Sequence, residues 1–289
     1  MIEVRAKRFE TCCLLLFIAF TTSCRPPSRT VVPSPIPEGW VDWNNPDRVG
    51  TLAKTCADNS KVSNRVTLAG KGVRIQSSRE EFQPFKGFLE EPLPFSFRPA
   101  GSSGARRVMR LQGGWLVGFS HGEFGGSLWF VDSTGNKSTQ LLDDNVSKIA
   151  RLLGHVYVFT NTLGKGFSGG EIVEVGENGT IENRADFEGA PIEFTQETND
   201  SFLMVGNGGV FRVSSSLNTQ QQLGKTELFL FAPNSMAISP DKTIFVGLKF
   251  FALRLIPTEN SYKEQWLVPS ACTQFHVDLE KRDCVCDGP

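Results

Sequence analysis

The stretch AISPDKTIFVG, residues 237–247, followed by ALRLIPTEN, residues 252–260, decides the fold. It reads as strand, tight turn, strand, short loop, strand, turn. In the Ser-Pro-Asp-Lys turn, Pro240 presets φ and Asp241 can cap its own backbone, and the flanking apolar residues alternate as half-buried strands do. The same unit recurs three times upstream. LWFVDSTG from Leu128, EIVEVGENG from Glu171, VFRVSSSLN from Val210 and ALRLIPTEN from Ala252 lie roughly 40 residues apart, each an alternating strand that ends in a polar turn. Before each stands a strand of the type WLVGF (from Trp115), HVYVF (His155), SFLMV (Ser201) or TIFVG (Thr243). Before that comes an inner strand: VMRLQG (Val108), KIARLLG (Lys148), IEFTQE (Ile192) or MAISPD (Met236). STQLLDD, IENRADF, TQQQLGK and YKEQWLV supply shorter outer strands, so four complete units run from Val108 to Val268.

In this order and spacing the chain resembles the β-propeller repeat proteins over most of its length. The resemblance implies an all-β fold, a β-propeller of five blades closed by strands from both termini. QFHVDLEKRDCVCDG (274–288) would give the fifth blade its inner hairpin, and VTLAGKGVRIQ (66–76) with FQPFKGF (82–88) its outer strands. A ring closed in this way leaves no open sheet edges between its ends. A β-sandwich of similar strand count is the competing fold, but it does not predict equally spaced units with one internal order. Pro92, Pro94 and Pro99 make residues 88–104 a loop rather than a central strand. The one helix candidate runs from Arg48 to Cys56.

The first residues lie outside that fold. Arg5, Lys7 and Arg8 form a basic start, and CCLLLFIAF (12–20) is an apolar run of export-signal length, too short to span a bilayer. Thr21, Thr22, Ser23 and Cys24 resemble the lipobox of bacterial lipoproteins, with Thr21 where that family usually has Leu. This resemblance implies a lipid on Cys24, membrane attachment through that anchor, and a place in the cell envelope facing the periplasm. Arg25 after Cys24 is not the Asp that retains some lipoproteins at the inner membrane, so the outer membrane is expected. RPPSRTVVPSPIPEGW (25–40) is a proline-rich, semi-rigid tether. The boundaries are a signal over 1–23, the lipidated cysteine and tether over 24–40, an N-terminal segment over 41–65 and the propeller over 66–289.

Of seven cysteines, Cys12 and Cys13 leave with the signal and Cys24 carries lipid, which leaves Cys56, Cys272, Cys284 and Cys286. In an exported protein these predict two disulfides, with connectivity open. Cys284 and Cys286 lie two apart in a strand pattern and so share a face, which favours partners elsewhere in the chain. Pairing with Cys56 and Cys272 would staple the N-terminal segment to the C-terminus. The Cys-x-Cys with one distant His276 is a poor zinc set. No cofactor or metal is expected. A formal net charge of −1 leaves no electrostatic footprint for nucleic acid, and the chain is expected to be a monomer.

In propellers, function concentrates on the connections between second and third strands. Here the first two are long and glycine-rich, SHGEFGG (120–126) and NTLGKGFSGG (161–170), and the third is GNGG (206–209). His121, Glu123, Phe124, Lys165, Phe167 and Asn207 therefore make a candidate partner-binding rim, mixed apolar and charged. The alternative is that Phe124 and Phe167 fold back over the sheets. Arg110 and Arg151 occupy matching inner-strand positions and read as structural. Glu193, Asp278 and His276 also fall on predicted inner strands, but they do not form an acid–base pair of defined separation. Asn136, Asn145, Asn178 and Asn199 head sequons and read as turn residues. The resulting expectation is a non-enzymatic protein-binding module in the envelope, such as an immunity or inhibitor protein. The alternatives are a hydrolase of a sugar or lactone working through the central channel, and a scaffold of an envelope assembly complex.

Overall fold

The computed structural model describes residues 32–43, 51–70, 72–79, 92–99, 104–164, 167–224, 228, 231–272, 274–278, 280 and 283–286. Pro33–Pro289 forms one compact unit. The signal, Cys24, the first part of the tether and the strand expected at 82–88 lie outside the described residues.

From the N-terminal side, β1 (Trp40–Asp42), α1 (Thr51–Asn59) and the hairpin β2 (Ser63–Ala69) with β3 (Gly72–Ser78) precede four antiparallel meanders. The first sheet is β4 (Ala105–Arg110), β5 (Gly114–Ser120), β6 (Gly126–Asp132) and β7 (Ser138–Leu142). The second is β8 (Asn145–Leu152), β9 (His155–Gly164), β10 (Phe167–Val175) and β11 (Ile181–Glu188). The third is β12 (Pro191–Gln196), β13 (Ser201–Gly206), β14 (Gly209–Ser214) and β15 (Gln220–Gln222). The fourth is β16 (Ser235–Ile238), β17 (Ile244–Gly247), β18 (Ala252–Pro257) and β19 (Tyr262–Pro269), with the hairpin β20 (Phe275–Asp278) and β21 (Asp283–Cys286) after it. All sixteen strands of the four predicted units form in the predicted order. The Ser-Pro-Asp-Lys turn closes as its residues imply: Lys242 takes φ +67° and donates its N–H to the Ser239 carbonyl at 2.9 Å, and the Ser239 hydroxyl donates to the Thr243 carbonyl at 2.8 Å.

The second strands read as unbroken apolar runs because they are covered on both faces; all four residues of β17 are buried. Leu116, Leu128, Val146 and Val158 pack between the first and second sheets. Tyr157, Phe159, Phe202 and Met204 pack between the second and third, and Leu203, Val205, Ile244 and Leu253 between the third and fourth. The last two faces of the series are covered as well. Val66, Val73 and Ile75 of the β2–β3 hairpin cover the fourth sheet beside Phe245, and Leu93, Phe95 and Phe97 of the proline-rich loop cover the first beside Trp115 and Trp129.

Alternation of direction places the first–second and third–fourth turns of every sheet at one end, called the turn end, and the remaining connections at the other, the rim. Contacts between neighbouring sheets keep to this division. At the turn end Lys242 Nζ donates to the Glu197 carbonyl and Gly113 N–H to the Glu177 carbonyl; at the rim Leu228 N–H donates to the Asn207 carbonyl.

Two features depart from the sequence reading. First, β20–β21 does not share a sheet with β2–β3, as the two-termini closure requires; it is a separate hairpin packed on α1. The reason lies in the cysteines and an aromatic cluster. Cys284 bonds to Cys56 of α1, Cys286 bonds to Cys272, and Phe275 lies 4.9 Å from Phe250 and 5.1 Å from Trp43 between ring centroids. The Cys56–Cys284 bond staples the N-terminal segment to the C-terminal hairpin, whereas Cys272–Cys286 closes a local loop; helix and hairpin form a cap over the rim of the fourth sheet, where Phe250 N–H donates to the Val62 carbonyl at 2.9 Å. Against β16 and β17 stands β2 instead, held by buried polar groups. Asn64 Nδ2 donates to the Phe251 carbonyl at 3.1 Å, Val66 N–H to Ser235 Oγ at 2.9 Å, and Asn234 Nδ2 to Ser63 Oγ at 2.9 Å. Gly247 permits this approach, since a Cβ there would stand 2.1 Å from the Asn64 carbonyl oxygen.

Second, the end of the tether is structured. Residues 34–43 form a strap on the fourth sheet, and β1 pairs with β19 as a fifth strand, Trp40 opposite Pro269 and Asp42 opposite Leu267. Ser34 donates to Asp241 from its backbone N–H and, at 2.6 Å, from its hydroxyl, while Arg254 donates to the Ser34 carbonyl. Arg254 also reaches Gln265 Oε1 at 2.6 Å, and Gln265 Nε2 reaches Asp42 at 3.0 Å. Burial works against the Asp241 charge, but hydrogen bonds from Ser239, Ser34 and Thr243 outweigh it and hold the carboxyl well below the usual range.

Because Cys56 and Cys284 are 228 residues apart, their bond restricts nearly the whole unfolded chain. Replacing both by Ser is expected to lower stability by about 2–4 kcal/mol, seen as a lower urea midpoint against the native protein. An unchanged midpoint would show that the cap is held by its aromatic packing alone.

Candidate functional site

The rim is built from short connections whose backbones are fixed by the next sheet. Between β5 and β6 the chain makes one 3-10 turn, Gly122–Phe124, which needs glycine on both sides of Phe124: Gly122 takes φ +66° and Gly125 φ +89°. Asn145, the first residue of β8, holds it. Its Oδ1 accepts the His121 N–H at 3.0 Å and the Ser120 hydroxyl at 3.3 Å, and its Nδ2 donates to the Gly122 carbonyl. Only glycine fits at 126, because a Cβ there would stand 2.3 Å from the Phe119 carbonyl oxygen and 2.6 Å from the Asn145 Cα. The turn that results is rigid, and it presents Phe124 at 83 % exposure. Such an aromatic is a large apolar surface with nothing of its own chain over it.

The residues expected on this rim fall as follows. His121 is partly buried at the start of the turn, and the turn packs against β9 of the second sheet. Glu123 lies within the turn. Phe167 opens β10 opposite Gly164, and Lys165 lies outside the described residues. Asn207 sits in the tight turn between β13 and β14, its carbonyl accepting the Leu228 N–H at 2.9 Å. The connection in the fourth sheet is covered by the cap, with Phe250 and Phe251 buried. Phe124 is thus the exposed aromatic of the set whose side chain is described, and it does not fold back.

Asn145 is the residue that sequence reading misjudged. Asn136, Asn178 and Asn199 are exposed turn residues as expected, but Asn145 is 4 % exposed and its amide is spent on the neighbouring connection. The clue was its place three residues before Lys148 of the inner strand KIARLLG, where a residue of one sheet faces the rim of the previous one.

Inner strands carry a second polar group. Lys148 of β8 is nearly buried, its Nζ 2.8 Å from Glu193 Oε1 of β12 and 3.9 Å from the centre of the Phe194 ring, which stacks on Phe159. Burial pulls the Lys148 ammonium down from its ordinary value, and the Glu193 carboxylate opposes that shift. Asp278 and His276, expected on inner strands with Glu193, stand instead on β20 in the cap. Arg151 pairs with Glu177, whose carboxyl is held low by that arginine and by the Gln112 N–H, and Arg110 lies 5.7 Å over Trp115. Both arginines therefore act in packing and turns. His155 meets the buried Glu174, which also accepts from Asn183; burial and Glu174 push the Tyr157 hydroxyl up to about 12. Residues 166–170 spell Gly-Phe-Ser-Gly-Gly, the pattern of a nucleophile elbow, but Ser168 lies in β10 of an antiparallel sheet and a strand follows, where the elbow needs a strand-to-helix turn. Among the described residues no three His, Cys, Asp or Glu side chains gather as a metal site, and no helix is long and apolar enough to cross a membrane.

Fold and rim together define an all-β protein of repeated four-stranded sheets packed face to face. No protein-family model matches the chain, and no curated protein sequence matches it. Among solved structures it is similar to virginiamycin B lyase from Staphylococcus aureus at 13 % identity over 78 % of this chain and 86 % of that one, with a TM-score of 0.39. A streptogramin B lyase is similar at 15 % identity over 69 % and 67 %, TM-score 0.36. A puromycin-hydrolysing peptidase from Mycobacterium tuberculosis is similar at 14 % over 88 % and 48 %, TM-score 0.29. At these identities and scores no residue role passes from them to this chain.

Two substitutions test the site. Asn145→Ala removes the side chain that ties the His121 N–H, the Ser120 hydroxyl and the Gly122 carbonyl to the next sheet and leaves the turn its own backbone bonds, with an expected cost of about 1–3 kcal/mol and faster proteolysis within residues 120–126. Protection equal to the native protein would show that the turn holds itself. Glu193→Gln removes the carboxylate 2.8 Å from the buried Lys148 ammonium and is expected to cost about 3 kcal/mol, whereas Lys148→Met combined with Glu193→Leu restores most of the loss. Equal stability of the two variants would remove the buried pair from the account.

Proposed function

We propose that this protein is a lipid-anchored envelope protein that binds another protein through the rim of its first two sheets. The observation that carries the reading is Phe124, 83 % exposed on a turn clamped by a buried asparagine. An aromatic anchor pays little ordering cost on binding when its loop is already fixed, and aromatics held in this way dominate interface energies. His121 beside it supplies polar edge contacts. Within this reading the particular role is that of an immunity or inhibitor protein, since an anchored, rigid binding face suits capture of a toxic enzyme at the envelope; a scaffold of an assembly complex would use the same face.

The same proposal takes the ring as five-bladed. What supports it is the coverage of the two terminal faces of the series by one stretch of chain, β2 and β3 on the fourth sheet and residues 93–97 on the first. In this form the closing blade begins with β2 and draws on the N-terminal side, and the C-terminal hairpin serves as cap. A sugar or lactone hydrolase in the centre of the ring would have to work with Glu193, whose carboxylate is engaged by Lys148.

Crosslinked capture from the native envelope, with Phe124→Ser and Cys24→Ser beside the native chain, tests both parts. One dominant protein partner, lost with Phe124→Ser while the thermal melt is unchanged, is the expected result. Capture that survives Phe124→Ser overturns the rim. Fractionation of Cys24→Ser with the membranes, as the native chain, overturns the anchor.

A further inference from the structure

We infer that the protein taken up by this rim presents a basic face: a segment carrying Lys or Arg lays its stem or guanidinium against the Phe124 ring and pairs its charges with carboxylates of the first two sheets. The inference rests on the rim reading proposed above and adds the chemistry of the partner.

The carboxylates stand beside the turn that presents Phe124. Asp143 and Asp144 form the connection from β7 to β8, directly before Asn145, whose amide holds that turn. A Cβ at Gly126 would stand 2.8 Å from the Asp144 carbonyl oxygen, so this connection and the end of the turn touch. The turn also packs on β9, and the strands beyond it bring two more acids. Glu171 of β10 donates its N–H to Thr160 Oγ1 of β9 at 3.1 Å, and Asp186 lies opposite it on β11. Arg184 stands among them, its Nη1 3.6 Å from Glu171 Oε1. Asp143, Arg184 and Asp186 are exposed, and Asp144 and Glu171 are partly buried.

The balance of charge in this sector is negative. By sequence, residues 120–126, 143–145, 161–171 and 184–190 hold six carboxylates against two Lys or Arg. The matching rim stretches of the third and fourth sheets, 204–211, 220–234, 246–252 and 267–275, hold one carboxylate against two Lys. Within the rim, acid therefore gathers where Phe124 is exposed. These carboxylates also differ from those that the fold uses. Glu177 accepts from Arg151 and the Gln112 N–H, Glu197 takes two bonds of 2.6 Å from Arg212, and Asp241 accepts from Ser34, Ser239 and Thr243. Asp144 and Glu171, by contrast, are pushed up from the ordinary carboxylate value. Burial is the main cause at both; Asp143 adds to it at Asp144, and at Glu171 Arg184 opposes it while Asp186 and Asp144 add. Crowded acids of this kind weaken the folded state, and cations brought by a partner relieve them.

Charge also sorts the occupants. Nucleic acid, an anionic lipid surface and an acidic protein are repelled. A second copy using the same patch about a two-fold axis would set Asp143 and Asp144 near their own counterparts. Among the described residues no three His, Cys, Asp or Glu side chains gather to hold a metal ion. Phe124 asks for apolar surface, and a Lys or Arg side chain supplies both needs, since its stem or guanidinium covers the ring while its charge meets a carboxylate. Opposite charge also steers such a partner toward the rim.

The test replaces Phe124 in the full chain by a benzophenone-bearing analogue and crosslinks it by light in the native envelope, with the linked segment of the partner read by mass spectrometry. A segment with Lys and Arg in excess over Asp and Glu is the expected result. Asp143→Asn combined with Asp144→Asn and Asp186→Asn is expected to lower the yield about tenfold, the size that three exposed ion pairs supply together. The melt of the purified triple variant is expected to be as high as the native one or higher, because the crowding is relieved. A partner segment without that excess, a yield that survives the triple variant, or a yield that falls together with the melt overturns the basic partner and leaves the rim reading standing. A link to a second copy of this chain or to lipid, or no link at all, overturns the rim reading and this inference with it.

Discussion

A four-stranded antiparallel sheet whose two faces are both apolar cannot stand alone in water, and everything else in this chain answers to that constraint. Each sheet buries a face only against its neighbour, as Phe159 does against Phe202 and Leu203 against the fourth sheet. Repetition satisfies the interior of the series but leaves two faces at its ends. The N-terminal hairpin and the loop around Phe95 and Phe97 cover them, which makes the stretch before the first repeat part of the core rather than a leader to it.

Apolar packing between sheets is non-directional, so polar groups set the register at the seams. Asn64, Asn145 and Asn234 are buried, and each spends its amide on the backbone or side chain of a different element. An asparagine does this well because it offers donor and acceptor from one short side chain, and leaving either unpaired in the interior is costly. At the fourth sheet the joint is also covalent, and the strap, the helix and the last hairpin converge there on one aromatic cluster. One side of the rim is therefore closed, while the other keeps Phe124 in the open. The two sides of the rim are therefore unlike.

Much of this was legible in the residues. The sixteen strands of the four repeats follow from alternation and from polar turns at a fixed period, and the existence of two disulfides follows from the cysteine count. Phe124 could be picked out because glycines on both sides deprive it of cover by its own loop. Other readings failed for a common reason. The hairpin at 275–286 has the alternation of an inner strand, but alternation says nothing about which sheet a strand joins; Cys284 and Phe275 decide that by contacts with α1, 228 residues away, and with Phe250, about twenty-five residues away. Asn145 looked like one more turn residue because its partner, the Gly122 carbonyl, belongs to the previous sheet. Ser34 looked like part of a free spacer because Asp241, 207 residues on, is invisible from its neighbours.

What the sequence determined by itself is the local content of the chain: where strands begin and turn, which faces are apolar, how often the unit repeats, and which loops are too rich in glycine to cover their own aromatics. Period and polarity are properties of neighbouring residues, so they can be read in order along the chain. Only the tertiary structure decided how the ends are used, with the N-terminal hairpin against the fourth sheet, the C-terminal hairpin as a disulfide-bound cap, the strap entering at the turn end, and the clamp that holds Phe124 outward. Those outcomes depend on contacts between residues far apart in sequence, where the competing arrangements bury similar surface and the choice falls to a few directional hydrogen bonds and two covalent ones.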